Sequence, residues 1–231
     1  MLPELPIQWI ANLDKPSWDC YFMAMTFLTA MRSPDQQTKQ GAVIVDWDSR
    51  TAIGFGYNGH PRNTQGKLPT MRAGSVLCKE VTVGGQTFRI GDTIPTGPIR
   101  DRAMALFPDR IQGPEDKYLY MCHCETNALL SIQRPSANAV LYVPMPSCEA
   151  CGGLVLNHPT VKIKRIVYFE ERNFRNLIWR TRPDVVHEHY NSGVAGDPAE
   201  LLDRAATYIR LRLTESAKLS EHSTKTYKGA A

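Results

Sequence analysis

Trp18, Tyr21, Phe22, Met25 and Leu28 fall at i, i+3, i+4, i+7 and i+10, one apolar face at helical period. This predicts a core-facing helix over 17–31, with Ser17 capping its first turn behind Pro16. A polar loop follows, carrying Arg32, Ser33 and Lys39. The short apolar run 41–45 and the stretch 51–57 flank the polar turn 46–50 and read as paired strands. Their exit, Gly56-Tyr57-Asn58-Gly59-His60-Pro61, is rich in turn formers. From 64 to 116 the periodicity loosens, although 81–83 and 87–90 around Gly84-Gly85 predict a small hairpin. This stretch reads as an insertion over one face rather than as a separate domain. Its basic residues include Arg62, Lys67, Arg72, Arg100 and Arg102 at or near its bounds.

Beyond it the pattern alternates. A helix is predicted over 123–133 with Ala128, Leu129, Leu130 and Ile132 on its buried side, then a strand over 139–143. A helix over 148–157, a strand over 164–169, a short helix over 174–180 and a strand over 184–189 follow. Leu201, Leu202, Ala205, Tyr208, Ile209 and Leu213 then mark a helix over 198–214, and the polar tail after Ser216 is expected to be mobile. Strands alternating with helices imply an α/β layered fold. The expected division is a main domain over 1–195 carrying the insertion, then a C-terminal helix and tail over 196–231.

Composition narrows the function classes. With 231 residues, 42% hydrophobic and 22% charged, the chain can bury one sizeable core. The net charge of +4, from 27 basic and 23 acidic residues, is modest and weighs against a nucleic-acid partner. No apolar run approaches the ~20 residues that span a bilayer. The first residues lack the charged and apolar regions of a signal peptide. Six cysteines, two of them in a Cys-x-x-Cys pair, point to metal rather than disulfides in an unexported protein. A cytoplasmic location is therefore expected.

Candidate chemistry gathers in Cys122-His123-Cys124-Glu125 and Cys148-Glu149-Ala150-Cys151. His123, Cys148 and Cys151 have the ligand count of a catalytic zinc site, three protein ligands with a fourth position for water. At i and i+3 the two thiols share one side of a helix start, where the amide field favours thiolates. Zinc lowers the pKa of its water towards neutrality and so supplies a nucleophile. Glu125 is the free acid/base: it takes the water's proton, delivers it to a ring nitrogen and helps protonate a departing amine. Such a carboxylate is the type of group whose pKa is tuned. His-x-Glu followed by Pro-Cys-x-x-Cys is the signature of zinc nucleobase deaminases, matched here but for the place of the proline. A structural zinc would need a fourth ligand, with Cys122 or Cys124 as candidates, but adjacent helical side chains point ~100° apart. Cys20 and Cys78 read as a buried and a loop thiol, and a second metal held by Cys78 and His60 is not expected. Asn58, at a strand end beside the metal site, becomes a candidate for gripping a substrate hydroxyl.

Several stretches resemble the deoxycytidylate (dCMP) deaminases of the cytidine deaminase-like superfamily. They are Tyr21-Phe22-Met23-Ala24 through Phe27-Leu28 to Arg32-Ser33, Gln40-Gly41-Ala42-Val43-Ile44-Val45 and Gly56-Tyr57-Asn58-Gly59. Lys117-Tyr118-Leu119-Tyr120-Met121-Cys122-His123-Cys124-Glu125-Thr126-Asn127-Ala128 is the most telling of them. The resemblance implies a three-layer α/β/α fold around a mixed five-stranded sheet. It also implies one Zn2+ per chain and conversion of dCMP to dUMP and ammonia, feeding thymidylate synthesis. By it, Ala42 and Asn58 line the base and sugar pocket, Tyr120 lies near the nucleotide, Cys124 bears on the contacts to the base carbonyl and the Ser147 carbonyl faces the leaving amine. Arg32, from its place in the polar loop, is a further candidate to face the ligand. A homo-oligomer, commonly a hexamer, and control by dCTP and dTTP, with Mg2+ accompanying a regulatory nucleotide, are implied as well.

Three departures bear on these expectations. Residue 124 is Cys where the family usually has Ala, Pro146 stands two residues before Cys148, and the stretch 64–116 is longer and diverged. A pocket altered there would accept dCTP or a 5-substituted dCMP. The rival readings are a deaminase acting on bases within RNA or single-stranded DNA, which needs a basic, aromatic-lined channel, and a non-catalytic zinc domain. Glu125, which no structural site requires, argues against the second.

Overall fold

The computed structural model describes residues 15–64, 68–113, 116–170, 178 and 181–210. The chain divides into two compact units, one of residues 25–190 and one that joins residues up to 24 with those from 191 onward. Helix α1, Trp18–Ala30, starts in the smaller unit and ends in the larger. In the larger unit follow β1 (Gly41–Asp46) and β2 (Thr51–Tyr57), then the hairpin of β3 (Glu80–Val83) and β4 (Gln86–Arg89). Helix α2 (Pro98–Leu106), a 3-10 turn at Lys117–Leu119, α3 (Cys124–Leu130), β5 (Ser136–Val143), α4 (Glu149–Leu156), β6 (Val161–Tyr168) and β7 (Val186–His189) complete it.

The main sheet runs β2-β1-β5-β6-β7. β1 pairs antiparallel with both β2 and β5, whereas β5, β6 and β7 are parallel. This is the mixed five-stranded sheet that the resemblance implies. Unbroken apolar runs make its central strands, because strands covered on both faces need no polar alternation. Ala42, Val43, Ile44 and Val45 of β1 and Leu141, Tyr142 and Val143 of β5 are fully buried. Helix α3 lies directly on β2. A Cβ added at Gly56 would sit 2.1 Å from the Cys124 carbonyl oxygen and 2.2 Å from Ala128 N, so the strand must present a residue without a side chain there. Gly56→Ala should therefore displace the helix that carries Glu125, lowering stability by about 1–3 kcal/mol or more and activity with it. Urea unfolding beside an activity assay checks this, and wild-type values for both would refute the contact. The outer edge of β2 meets Ser131, just past α3. Its hydroxyl donates to the Phe55 carbonyl at 2.7 Å and accepts the Phe55 N–H at 2.8 Å.

The hairpin forms as expected. Gly84 and Gly85 have φ of 58° and 78°, the conformation a tight two-residue turn demands. The insertion has its own small core of Val76, Val81, Val83, Ile94, Ala103 and Ile111. Helix α2 within it was not expected: its sequence, PIRDRAMAL, has weak amphipathic patterning, and its one signal is Pro98 at the first helical position after Gly97.

Two expectations about buried faces need correction. Along α1, Trp18, Tyr21 and Leu28 are exposed and Met25 is half-buried, while Cys20, Phe22, Met23, Ala24, Thr26 and Ala30 are buried. Backbone proximity decides this: a Cβ at Gly41 would lie 2.1 Å from Thr26 O and 2.6 Å from Ala30 N, so the buried side there takes small residues. Leu130 is also exposed, because Ala128 and Leu129 occupy the core side of α3 and the helix ends at Leu130, short of 133. Strands β5 and β6 start three residues before their expected starts. The helix expected over 174–180 lies, but for Ile178, outside the described residues, as do Lys67 and the tail after Ser216.

In the smaller unit, Ser17 Oγ accepts the Cys20 N–H at 3.1 Å, the expected cap of α1. The same hydroxyl donates to the Ala195 carbonyl in α5, Ser192–Ala195. Trp18 stacks on Phe22 with ring centroids 5.6 Å apart. A further helix covers 198–210, matching the described part of the one expected there.

Candidate active site

Two helix starts present the metal-ligand set. His123 is the residue before α3 and Cys148 the residue before α4, both with extended backbone, and Cys151 lies in the first turn of α4. Cys148 Sγ accepts the Cys151 N–H at 3.5 Å. His123 Nδ1 lies 3.4 Å from Cys148 Sγ and 3.5 Å from Cys151 Sγ. Zn–S and Zn–N bonds of ordinary length at the tetrahedral angle place N and S about 3.6 Å apart, so the triad fits zinc. Among the described residues these three form the one group of His, Cys, Asp and Glu side chains close enough to hold a metal. Neither Cys122 nor Cys124 joins it, and neither do Cys78 and His60. Cys124 Sγ turns instead to Glu125, donating to Oε2 at 3.2 Å.

Without metal the triad shares its protons unevenly. Hydrogen bonds from Cys151 and His123 pull the Cys148 thiol down to about 4. Cys151 is pushed far up, first by its bond to Cys148 and then by burial. The bond to Cys148 raises His123, and burial followed by the Glu125 charge raises Cys124. At neutral pH the two thiols thus keep one proton between them. Zinc requires both sulfurs deprotonated, so its binding must expel that proton and any proton on His123. Apparent zinc affinity should rise about tenfold per pH unit for each proton expelled. Competition with a chelating indicator across pH 6–8 measures this, and a flat profile would show that both thiols are already ionised.

His123 and Cys148 open into a cleft of about 290 Å³, with Cys151 buried behind them. Its lining includes Asn58, His123, Cys124, Glu125, Met145 and Cys148, together with Asp35, Arg72, Lys117 and Tyr118. Glu125, the expected acid/base, is 5% exposed. Asn58 ties three segments together there. Its Nδ2 donates to Thr38 O at 2.9 Å, its Oδ1 accepts the Cys124 N–H at 2.9 Å, and its carbonyl accepts from Ser33 Oγ at 2.7 Å. One N–H and one lone pair of the amide remain for a ligand. Ala42 belongs to the core, Ser147 is fully buried, Tyr120 is half-buried and Arg32 is exposed, and none of these four is among the cleft-lining residues.

The sequence reading missed an ion pair in the cleft wall. Lys117 Nζ donates to both Asp35 oxygens at 2.8 Å, and both side chains are 1% exposed. Asp35 Oδ1 also accepts the N–H groups of Gln37 and Thr38, which fixes the loop after α1. The Lys-Tyr-x-Tyr stretch flagged Lys117, but no local signal links it to a carboxylate so distant in sequence.

Comparison with known proteins agrees with this geometry. Residues 16–170 match the family model described as the cytidine and deoxycytidylate deaminase zinc-binding region. A probable deoxycytidylate deaminase of Drosophila melanogaster is 30% identical over 156 residues, which cover 67% of this chain and 60% of that one. The deoxycytidylate deaminase of Mycobacterium phage D29 is 30% identical over 162 residues, 69% of this chain and 99% of that one. The human deoxycytidylate deaminase is 25% identical over 160 residues, 69% of this chain and 68% of that one. The alignments therefore span only three fifths of the fly protein, about two thirds of the human one and nearly all of the phage protein. An open His-Cys-Cys triad beside a buried glutamate, on a sheet of this order and within the matched residues, places the chain in the cytidine and deoxycytidylate deaminase family of zinc-binding enzymes.

Proposed function

We propose that the chain hydrolyses dCMP to dUMP and ammonia. The observation that carries this is Glu125, buried in the cleft that His123 and Cys148 of the ligand set also line, and held by Cys124. The names of its relatives give the substrate class. His123, Cys148 and Cys151 would hold one zinc ion, which when bound supplies Lewis acidity at the water position. Glu125 would take one proton from the attacking water and pass it to N3 of the cytosine ring, then take the proton of the hydroxyl left on C4 and pass it to the amine, which leaves as ammonia as the C4–N bond breaks. Its fixed place beside Cys124 keeps the carboxylate aimed before substrate arrives. The remaining N–H and lone pair of Asn58 suit a sugar hydroxyl. A homo-oligomer and regulation by dCTP and dTTP, with Mg2+ accompanying the nucleotide, belong to this reading through the resemblance, and a cytoplasmic location through the cysteine usage.

Ammonia release tests it. Zinc-loaded protein is offered deoxycytidine, dCMP, dCDP and dCTP in parallel, with and without dCTP or dTTP as effectors. Turnover of dCMP above the others supports the proposal, whereas comparable turnover of dCTP would open the pocket to triphosphates. Silence on all four would overturn it.

A further inference from the structure

A substrate that differs from a nucleoside only by its phosphate is told apart most directly by a cationic side chain, and the cleft has few to offer. Its lining cations are Lys117, His123 and Arg72. Lys117 is neutralised by Asp35 on both oxygens. His123 belongs to the metal-ligand set. Arg72 remains. Its Nε donates to the Tyr118 hydroxyl at 2.9 Å and its guanidinium carbon lies 5.2 Å from the centre of the Tyr118 ring. No carboxylate among the described residues pairs with it. Both residues line the cleft and are exposed, so they stand where it meets solvent.

The backbone beneath Arg72 is fixed as well. Gln37, in the loop that Asp35 shapes, accepts the Arg72 N–H through Oε1 at 2.9 Å. Its Nε2 donates to Ser75 Oγ and to the Gly91 carbonyl, each at 2.9 Å. One glutamine thus fastens the insertion to the cleft wall at three points around Arg72. With Nε taken by Tyr118, both terminal nitrogens are left to form the two-pronged contact that suits phosphate oxygens.

We propose that Arg72, braced by Tyr118 and Gln37, is the specificity-determining residue that receives the substrate's 5′-phosphate. This rests on the deaminase reading and adds a role for the insertion: it supplies the one lining cation left without a carboxylate or metal-ligand role. The test compares dCMP with deoxycytidine, which lacks the phosphate, in the zinc-loaded full chain. Arg72→Ala should raise KM for dCMP about 10- to 100-fold, the range for losing charge-assisted hydrogen bonds, with deoxycytidine kcat/KM unchanged. Arg72→Lys should recover part of the loss, because lysine restores the charge without the fork. Calorimetric binding of dCMP to the Glu125→Gln protein, with and without Arg72→Ala, reads the same contact without turnover. Equal losses on both substrates, or no loss on dCMP, would overturn the role of Arg72 while leaving the deaminase reading intact. Wild-type silence on both substrates would overturn the deaminase reading itself.

Discussion

Glu125→Gln should leave a folded, zinc-loaded protein whose turnover falls by about 10²–10⁴-fold, the usual contribution of a positioned acid/base. The substitution keeps shape and removes only the ability to exchange a proton. The amide oxygen can still accept from Cys124 Sγ, which reaches the wild-type carboxylate at 3.2 Å. None of the three ligand atoms belongs to residue 125, so zinc stoichiometry should stay at the wild-type value. Ammonia release, metal content and thermal melting separate the outcomes. Persistent activity with full zinc would remove Glu125 from the proton path. Loss of zinc would mean that the carboxylate helps hold the triad together.

Lys117→Met should be the most destabilising polar substitution in the cleft wall. It strips the cation from Asp35, whose carboxylate is 1% exposed and would keep only backbone N–H donors. Breaking a buried pair from one side costs about 3–5 kcal/mol, because the surviving charge is left uncompensated. Removing both charges costs less. The Asp35→Asn/Lys117→Met double variant should recover much of the loss, giving a coupling energy of about 1–3 kcal/mol in a double-mutant cycle. Urea midpoints of the four proteins measure it. Additive effects would show that the two charges do not depend on each other.

The residues that were legible in the sequence are those whose chemistry is local. His-x-Glu and Cys-x-x-Cys announce themselves by spacing, and the triad assembles as that spacing implies. Strands β1 and β2 were readable because an unbroken apolar run and its hairpin partner each mark themselves. What escaped depends on neighbours far along the chain. The exposed faces of Trp18, Tyr21 and Leu28 contradict their periodicity because backbone approach near Gly41 rewards small side chains instead. Asp35 and Lys117 find each other across the fold. Arg72 was one basic residue among several in a loosely patterned insertion until Gln37 and Tyr118 fixed its place.

The hydroxyl of Ser131 has a consequence for how the molecule behaves in company. β2 is an outer strand, and such strands offer a template on which a strand from another molecule can add. At Phe55 that template is blocked, because one serine side chain occupies both the outward N–H and the outward carbonyl. Edge-to-edge aggregation through the middle of β2 would first have to displace it. The residue that closes α3 thus also shields the sheet from becoming the seed of a fibril.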